Sequence, residues 1–292
     1  MKPSRFRYFL VHTLDEATQL MANQNEETRV LAGGQSLLPL MNMRLARPAA
    51  LIDLNEMSSL SYIQPWDGGL ALGAMTRDVD LKHRQLASAR LPLLVEAARH
   101  VGHPAIRNRS TLGGSVAHAD PAAELPAVML TLEAEMEVRN ASGSRVIAAR
   151  DFFVGPFQTT MAADEILTEI RVPELPPHSG SAFLEFARRE GDYALAGVAA
   201  VVTLDENGSI ASARLGLCSV DETPVRATAA ERLLVGKSPT SATWQLAAEA
   251  LAAALQRLPE DMHGSADYRR HLAGVLTQRA LVLATERAQR SS

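Results

Sequence analysis

Two short stretches, Leu31-Ala-Gly-Gly-Gln-Ser36 and Thr111-Leu-Gly-Gly-Ser115, constrain the fold of this chain more than any other feature. In each, a β-prone or extended run leads into paired glycines and a serine, and helix-forming sequence follows. Glycine reaches backbone conformations closed to other residues and puts no Cβ in front of main-chain N–H groups. Such a turn can therefore bend into an anion-binding concavity. The first stretch also precedes a helix, whose free N–H groups and dipole favour negative charge. Neither carries the lysine of a Walker loop, and neither has the glycine spacing of a dinucleotide-binding βαβ unit. A lone glycine pair is most often only a turn. Two in one chain, both followed by amphipathic helices, suggest two loops gripping one pyrophosphate from both sides.

Around these loops the first half alternates short strands and helices. Leu14–Asn23 has helical spacing, Thr28–Leu31 is β-prone, Ser36 caps a helix running to about Leu45, and Ala50–Leu54 is again a strand. Leu60–Gln64 and Leu70–Ala74 flank Pro65-Trp-Asp-Gly-Gly69 as a hairpin. Arg77–Leu86, Leu91–Val101 and Pro126–Leu132 read as helices. Ala134–Arg139 pairs with Arg145–Ala149 around Ser142–Gly143, and Leu167–Val172 is a strand.

Pro173-Glu-Leu-Pro-Pro-His-Ser-Gly180 marks a boundary, because proline donates no ladder hydrogen bond and restricts the residue before it. Beyond it Ala182–Arg188, Leu195–Leu204 and Ile210–Ser219 are three strands, the last two joined at Asn207–Gly208. Alanine-rich helices are expected over about 225–235, 241–257 and 266–288. The expected class is α+β. Residues 1–176 form one domain with lobes of about 1–57 and 58–176, and residues 177–292 form a three-stranded antiparallel sheet with helices.

Composition narrows the chemistry. The balance of 47% hydrophobic and 21% charged residues is that of an ordinary globular protein. A net charge of −4 with scattered Arg and Lys argues against a nucleic-acid partner. Cys218 is the single cysteine, which excludes an internal disulfide and any cysteine-only zinc or iron–sulfur site. Redox chemistry on this chain therefore needs an organic cofactor. His100, His103 and His118 surround the second loop but fit no compact zinc spacing, so no metal is expected. Asp120 reads as a partner for a helix dipole, Arg107 and Arg109 as solvated arginines, and Cys218 as a small buried side chain. The opening from Met1 to Leu10 lacks the apolar core of a signal peptide, and no stretch reaches the roughly 18 apolar residues of a membrane span. The chain reads as cytoplasmic.

At this point the sequence resembles a known family. Ala32-Gly-Gly-Gln-Ser-Leu-Leu-Pro39 resembles the first flavin loop of the FAD-binding medium subunits of molybdenum hydroxylases, of the carbon monoxide dehydrogenase and xanthine dehydrogenase type. Thr111-Leu-Gly-Gly-Ser-Val-Ala117 with Asp120-Pro-Ala-Ala-Glu-Leu-Pro126 resembles the second loop, and Gly191-Asp-Tyr-Ala194 a third, shorter signature. The likeness runs in order over nearly the whole chain. It implies a two-lobed FAD-binding domain of the vanillyl-alcohol oxidase/p-cresol methylhydroxylase type, with FAD bound non-covalently.

By the resemblance, Leu31, Ala32, Gly33, Gly34, Gln35 and Ser36, with Thr111, Gly113, Gly114 and Ser115, would hold the pyrophosphate and ribityl chain. Glu124 would stand near the ribityl chain, Val101 and Leu167 would line the ring and adenine regions, and Tyr193 would lie beside the isoalloxazine. The implied partners are a small subunit with 2Fe–2S clusters and a large molybdopterin subunit, as a dimer of heterotrimers. Electrons would pass to NAD, a quinone, oxygen or another acceptor. The chain departs from the pattern in three places: Gln35 replaces a common His, Ser115 a common Asn or Asp, and Glu185 occupies a region where some relatives place a Lys. Two other readings stay open on the residues alone, a stand-alone oxidase of the vanillyl-alcohol type and a non-catalytic nucleotide-binding scaffold.

Overall fold

The computed structural model describes residues 2–23 and 26–290; Met1 lies outside them. The chain opens with β1 (Arg7–Leu10), α1 (Leu14–Ala22), β2 (Thr28–Leu31), α2 (Leu37–Asn42) and β3 (Ala50–Asp53). The three strands form a parallel sheet in the order β1-β3-β2. β1 was not expected from sequence, because its short run is mostly exposed and gains strand character only by pairing with distant β3. The start of α1 is fixed locally: Thr13 Oγ1 accepts from Glu16 N at 3.2 Å, and Glu16 Oε2 accepts from His12 N at 3.0 Å. Each side chain satisfies a donor that the helix itself cannot. α2 stops at Asn42 rather than Leu45. Arg44 turns to φ 61°, and the amides of Leu45 and Ala46 both fold back onto Leu40 O.

The second sheet begins with the hairpin β4 (Ile63–Trp66) and β5 (Gly69–Gly73), tight enough that Asp67–Gly68 alone makes the turn. Short helices follow: α3 (Asp78–His83), α4 (Gln85–Arg90), α5 (Pro92–Ala98), α6 (Pro104–Arg107), α7 (Leu112–His118) and α8 (Glu124–Thr131). Then come β6 (Glu135–Asn140), β7 (Gly143–Ala148), α9 (Ala149–Phe152), a small pair β8 (Phe153–Gly155) and β9 (Gln158–Thr159), and β10 (Ile166–Pro173). The order β4-β5-β10-β6-β7 is antiparallel throughout. The proline-rich segment is shorter than read from sequence, since Pro173 still belongs to β10 and Ser179 already to the next strand.

The remainder holds β11 (Ser179–Ala187), β12 (Ala194–Leu204), β13 (Ile210–Cys218) and β14 (Val225–Arg226), then α10 (Thr228–Leu234), α11 (Ser241–Ala254) and α12 (Ala266–Arg290). This antiparallel sheet has four strands, not the three expected. β14 is two residues long, too short for any periodicity, and it occupies the start of the stretch read as a helix from 225. What holds it is tertiary: Arg226 donates to Leu130 O at 2.9 Å and pairs with Glu231.

β12 is buried along its whole length, on both faces. Ala196, Val198, Ala200 and Val202 pack with α11 and α12, whereas Ala199 and Val201 join Phe183, Leu125 and Val128 in the core of the preceding region. The sheet is thus covered on both sides, and its inner face is continuous with α5 and α8. A charged clasp adds to that seam. Arg287 of α12 meets Glu96 of α5 at 2.7 and 3.0 Å, and Glu96 Oε2 also accepts from Phe183 N at 3.2 Å. Forked, charge-assisted bonds of this kind are stronger than single surface pairs. Glu96→Ala is therefore expected to cost about 1–2 kcal/mol and to lower the melting temperature by about 2–8 °C in a thermal scan.

Candidate functional site

The first glycine loop follows β2 and the second lies between α6 and α7, and the two meet backbone to backbone. A Cβ placed on Gly33 would lie 2.6 Å from Ser110 Cα and closer still to the Arg109 carbonyl oxygen. One placed on Gly113 would lie 2.7 Å from Ala74 O, and one on Gly114 would touch the Ala32 side chain at 3.6 Å. Gly34 takes φ 73°, the left-handed region that side chains disfavour. The glycines that suggested a ligand cradle are thus also what lets one loop press on the other.

A polar clasp fixes this contact. Asp53, at the end of β3, accepts from the Tyr8 hydroxyl at 2.6 Å and from Asn55 N at 2.8 Å. That hydrogen bond to Asp53 pushes the Tyr8 phenol up to about 12. Asn55 Nδ2 donates to Ala32 O in the first loop at 2.9 Å, while its Oδ1 accepts from Arg77 Nη2 at 2.6 Å. Arg77 Nη1 in turn donates to Arg109 O, beside the second loop. None of Asp53, Asn55 and Arg77 was singled out from sequence. The two polar residues closing an apolar strand were a usable signal; Arg77 gave none. Arg77→Ala is expected to weaken FAD binding by about tenfold, measured by flavin retention on equilibrium dialysis, because a charge-assisted bond is worth roughly 1.5–3 kcal/mol.

The loops offer different donors. The amides of Gly34, Gln35 and Ser36 find no acceptor among the described residues. Those of Leu112, Gly113, Gly114 and Ser115 are engaged by Thr76 O, Ala74 O, Thr111 Oγ1 and Thr111 O at 2.9 to 3.1 Å. Thr111 is buried and caps α7. The first loop therefore presents free N–H groups, and the second contributes the half-buried Ser115 hydroxyl and a side-chain-free surface at Gly114. Unsatisfied amides facing a cradle that a Cβ would fill suit the pyrophosphate of a dinucleotide, so the residues present fit FAD.

The other sequence-derived positions separate into near and far. Glu124 is the first residue of α8 and only 5% exposed. Tyr193 immediately precedes β12 and is 62% exposed, yet burial of its hydroxyl, then the neighbouring Asp120 carboxylate, push the phenol up to about 12. Asp120 Oδ1 accepts from Ala122 N at 2.9 Å, just ahead of α8. Gly191, at φ 84°, would place a Cβ 2.5 Å from the His103 ring, so the third signature lies against the loop before α6. Val101 is half-buried at the edge of the core, and Leu167 is buried within β10. Arg107 donates to Val101 O and Gly102 O at 3.1 and 2.6 Å, a structural role and not that of a solvated arginine. The three histidines face three different neighbours: His100 faces Glu185, His103 faces Gly191 and His118 faces Phe157.

Two buried acids colour the site. Burial raises Asp78, which accepts from Ser110 Oγ just before the second loop, to about 6. Burial, then the neighbouring Glu185 carboxylate, raise Glu124 to about 8 from an ordinary 4.5. Between those two values the folded chain keeps a proton on Glu124 that the unfolded chain has released. Stability must therefore fall as pH rises through this window, by up to about 1.4 kcal/mol per pH unit. Glu124→Gln is expected to flatten that slope in thermal melts of the flavin-free chain between pH 5 and 8; an unchanged slope would assign the dependence to another group.

Comparison with known proteins agrees with this geometry. Residues 4–175 match the family described as FAD binding domain in molybdopterin dehydrogenase, and residues 181–284 match the CO dehydrogenase flavoprotein C-terminal domain. The 6-hydroxypseudooxynicotine dehydrogenase complex subunit alpha of Paenarthrobacter nicotinovorans is 40% identical over 289 residues, which cover 99% of this chain and 97% of that protein. A carbon monoxide dehydrogenase structure from Hydrogenophaga pseudoflava superposes with a TM-score of 0.95 at 39% identity, covering 98% of this chain and 99% of the other. Quinoline 2-oxidoreductase from Pseudomonas putida 86 gives 0.92 at 39% identity, covering 100% and 99%. With both halves matched in order and at full length, the chain belongs to the FAD-binding medium subunits of the molybdenum hydroxylase family.

Proposed function

We propose that this chain is the flavoprotein subunit of a cytoplasmic molybdenum hydroxylase complex, an oxidoreductase in which it collects electrons and delivers them to an external acceptor. The observation that carries the reading is the backbone contact between the two glycine loops, beside which the first loop leaves amides free. FAD, when bound, takes electrons singly from 2Fe–2S clusters and releases them in pairs. Gly34, Gln35 and Ser36 would hold the pyrophosphate through their N–H groups, with Ser115 supplying a hydroxyl and Gly114 the room for close approach. Leu31, Ala32, Gly33, Thr111 and Gly113 set the shape of that cradle. Glu124 would face the ribityl chain, Tyr193 would cover the isoalloxazine, and Val101 and Leu167 would add apolar wall.

In this reading residues 1–176 are the FAD-binding unit, of the vanillyl-alcohol oxidase type with lobes 1–57 and 58–176, and residues 177–292 are the C-terminal unit. The partners are a small subunit with two 2Fe–2S clusters and a large molybdopterin subunit, arranged as a dimer of heterotrimers. The large subunit would oxidise the substrate, so no substrate pocket is needed here. No helix among the described residues is long and apolar enough to cross a membrane.

The test is the visible spectrum of the purified chain, followed by heat release and chromatography of the flavin. FAD freed without covalent attachment is the expected result. A colourless chain that takes up no FAD on incubation would overturn the reading.

A further inference from the structure

β11 and β12 are joined by the turn 188–193, which carries Tyr193. The ladder is irregular at the base of this turn. Its last regular pairs are Glu185 with Gly197 and Phe186 with Ala196, and the register then slips before Ala187. Such a bulge bends the strand and re-aims whatever follows it. Within the turn Asp192 N donates to Arg189 O at 3.2 Å. Two contacts hold it from outside. Arg188 Nη1 donates to His263 O at 3.2 Å, and Gly191 sits against the His103 ring, where a Cβ would come 2.5 Å from Cε1 and Nδ1.

A second histidine of the same connection holds the strand just below the slip. His100 Nδ1 lies 3.2 Å from Glu185 Oε1, and its ring meets that of Phe183 at 5.4 Å. The Glu185 carboxyl is only 6% exposed and its Oε2 has no hydrogen-bond partner, so its charge depends on His100. The segment between the two histidines is pinned. Arg107 of α6 donates to Val101 O and Gly102 O at 3.1 and 2.6 Å, and the amides of Ile106 and Arg107 donate to His103 O at 2.9 and 3.1 Å. His100 and His103 are thus tied together, one on the strand and the other on the turn.

We propose that His100 and His103 are positioning residues, a two-pronged clip that holds the Tyr193 turn over the isoalloxazine and lets go when His100 loses its proton. The inference rests on the FAD reading above. With His100 charged, the ion pair fastens β11 to the end of α5 and the turn stays on His103. With His100 neutral, Glu185 keeps a buried charge beside an uncharged partner, which is costly, and opening the seam to water relieves that cost. The turn then loosens and uncovers the ring to a soluble acceptor.

The charges around the clip set its sign. The hydrogen bond to Glu185 raises His100 above its ordinary value; burial opposes this, the Glu185 and Glu96 charges support it, and Arg107 of α6 opposes it. Glu96 is itself bound to Arg287 of α12. The hold is therefore complete at low pH and is lost as pH rises through the raised value. Across Gly197 from Glu185 lies Cys218 of β13, whose thiol burial keeps neutral. Glu124 of α8 also acts on Glu185, and its ionisation would add repulsion. The turn itself carries Arg188, Arg189, Glu190 and Asp192, two charges of each sign.

The experiment follows amide hydrogen exchange in peptides covering 186–196 of the flavin-free full chain at about pH 6 and about pH 9, corrected for the intrinsic effect of pH. Corrected exchange in the parent should be about tenfold faster at the higher pH. In Glu185→Gln, which keeps the shape without the charge, it should be equal at both, and in His103→Ala it should be fast at both. Glu124→Gln should keep the parental dependence. Exchange in the parent that ignores pH, a dependence that survives in Glu185→Gln or vanishes in Glu124→Gln, or protection retained in His103→Ala would each overturn the clip. Acrylamide quenching of flavin fluorescence in the FAD-loaded chain then reads the ring, and should rise over the same interval. A turn that opens while quenching stays constant would overturn its placement over the ring. Failure of the chain to bind FAD would sink the functional reading, while the exchange result still decides on the clip.

Discussion

Gly33→Ala should leave the chain folded but largely unable to keep FAD. The added methyl has nowhere to go, since its neighbours are the Arg109 carbonyl and Ser110 Cα. Both are main-chain atoms and cannot rotate aside as a side-chain tip can. The loops must part, which loosens the Asn55 bond to Ala32 O and the Arg77 bond to Arg109 O on either side of the contact. Overpacking of this kind costs about 1–3 kcal/mol, and because the strain falls on the cradle it should appear as FAD affinity weakened by about 5- to 150-fold. Fluorescence titration of the flavin-free variant with FAD measures this. A melting temperature near that of the parent, together with lost affinity, would localise the damage. Parental affinity would mean that the loop contact does not shape the site.

Gly180→Val should act on stability instead. Gly180 lies in β11 directly under α12, where a Cβ would sit 2.9 Å from the Arg287 carbonyl carbon and nearer still to Ala284 O and Ala288 N. The helix would have to lift from the strand over its last two turns. That movement would strip cover from Ala284 and Ala288 and stretch the Arg287–Glu96 clasp. The expected loss is about 3 kcal/mol or more, a fall of about 6–12 °C in melting temperature. Calorimetry on the flavin-free chain checks it, and a melting temperature within a degree of the parent would refute the close packing of α12 on β11. FAD affinity of the fraction that stays folded should change little, because Gly180 is remote from both loops.

Much of this protein is legible in one dimension. The hairpin read around Pro65–Gly69, the turn at Asn207–Gly208 and the long strands β12 and β13 on either side of it are set by residues adjacent in sequence. Local rules of turn chemistry and periodicity therefore find them. The glycine loops were found in the same way, since the absence of a Cβ is a property of the residue and not of its surroundings.

What sequence alone determined is thus the set of local elements, the two loops and, through their likeness to a family, the cofactor. Only the tertiary structure decided the rest. It decided that β1 and β14 are strands, because each is defined by hydrogen bonds to a distant partner and not by a pattern of its own. It decided that β12 is covered on both faces, which joins the C-terminal sheet to α8 instead of leaving it to its own helices. It also showed that Asp53, Asn55 and Arg77 clamp the loops, and that the buried Glu185 carboxyl meets His100. These residues are separated by tens of positions, and their hydrogen bonds and mutual repulsion act only after folding has brought them within a few ångströms and removed the water between them.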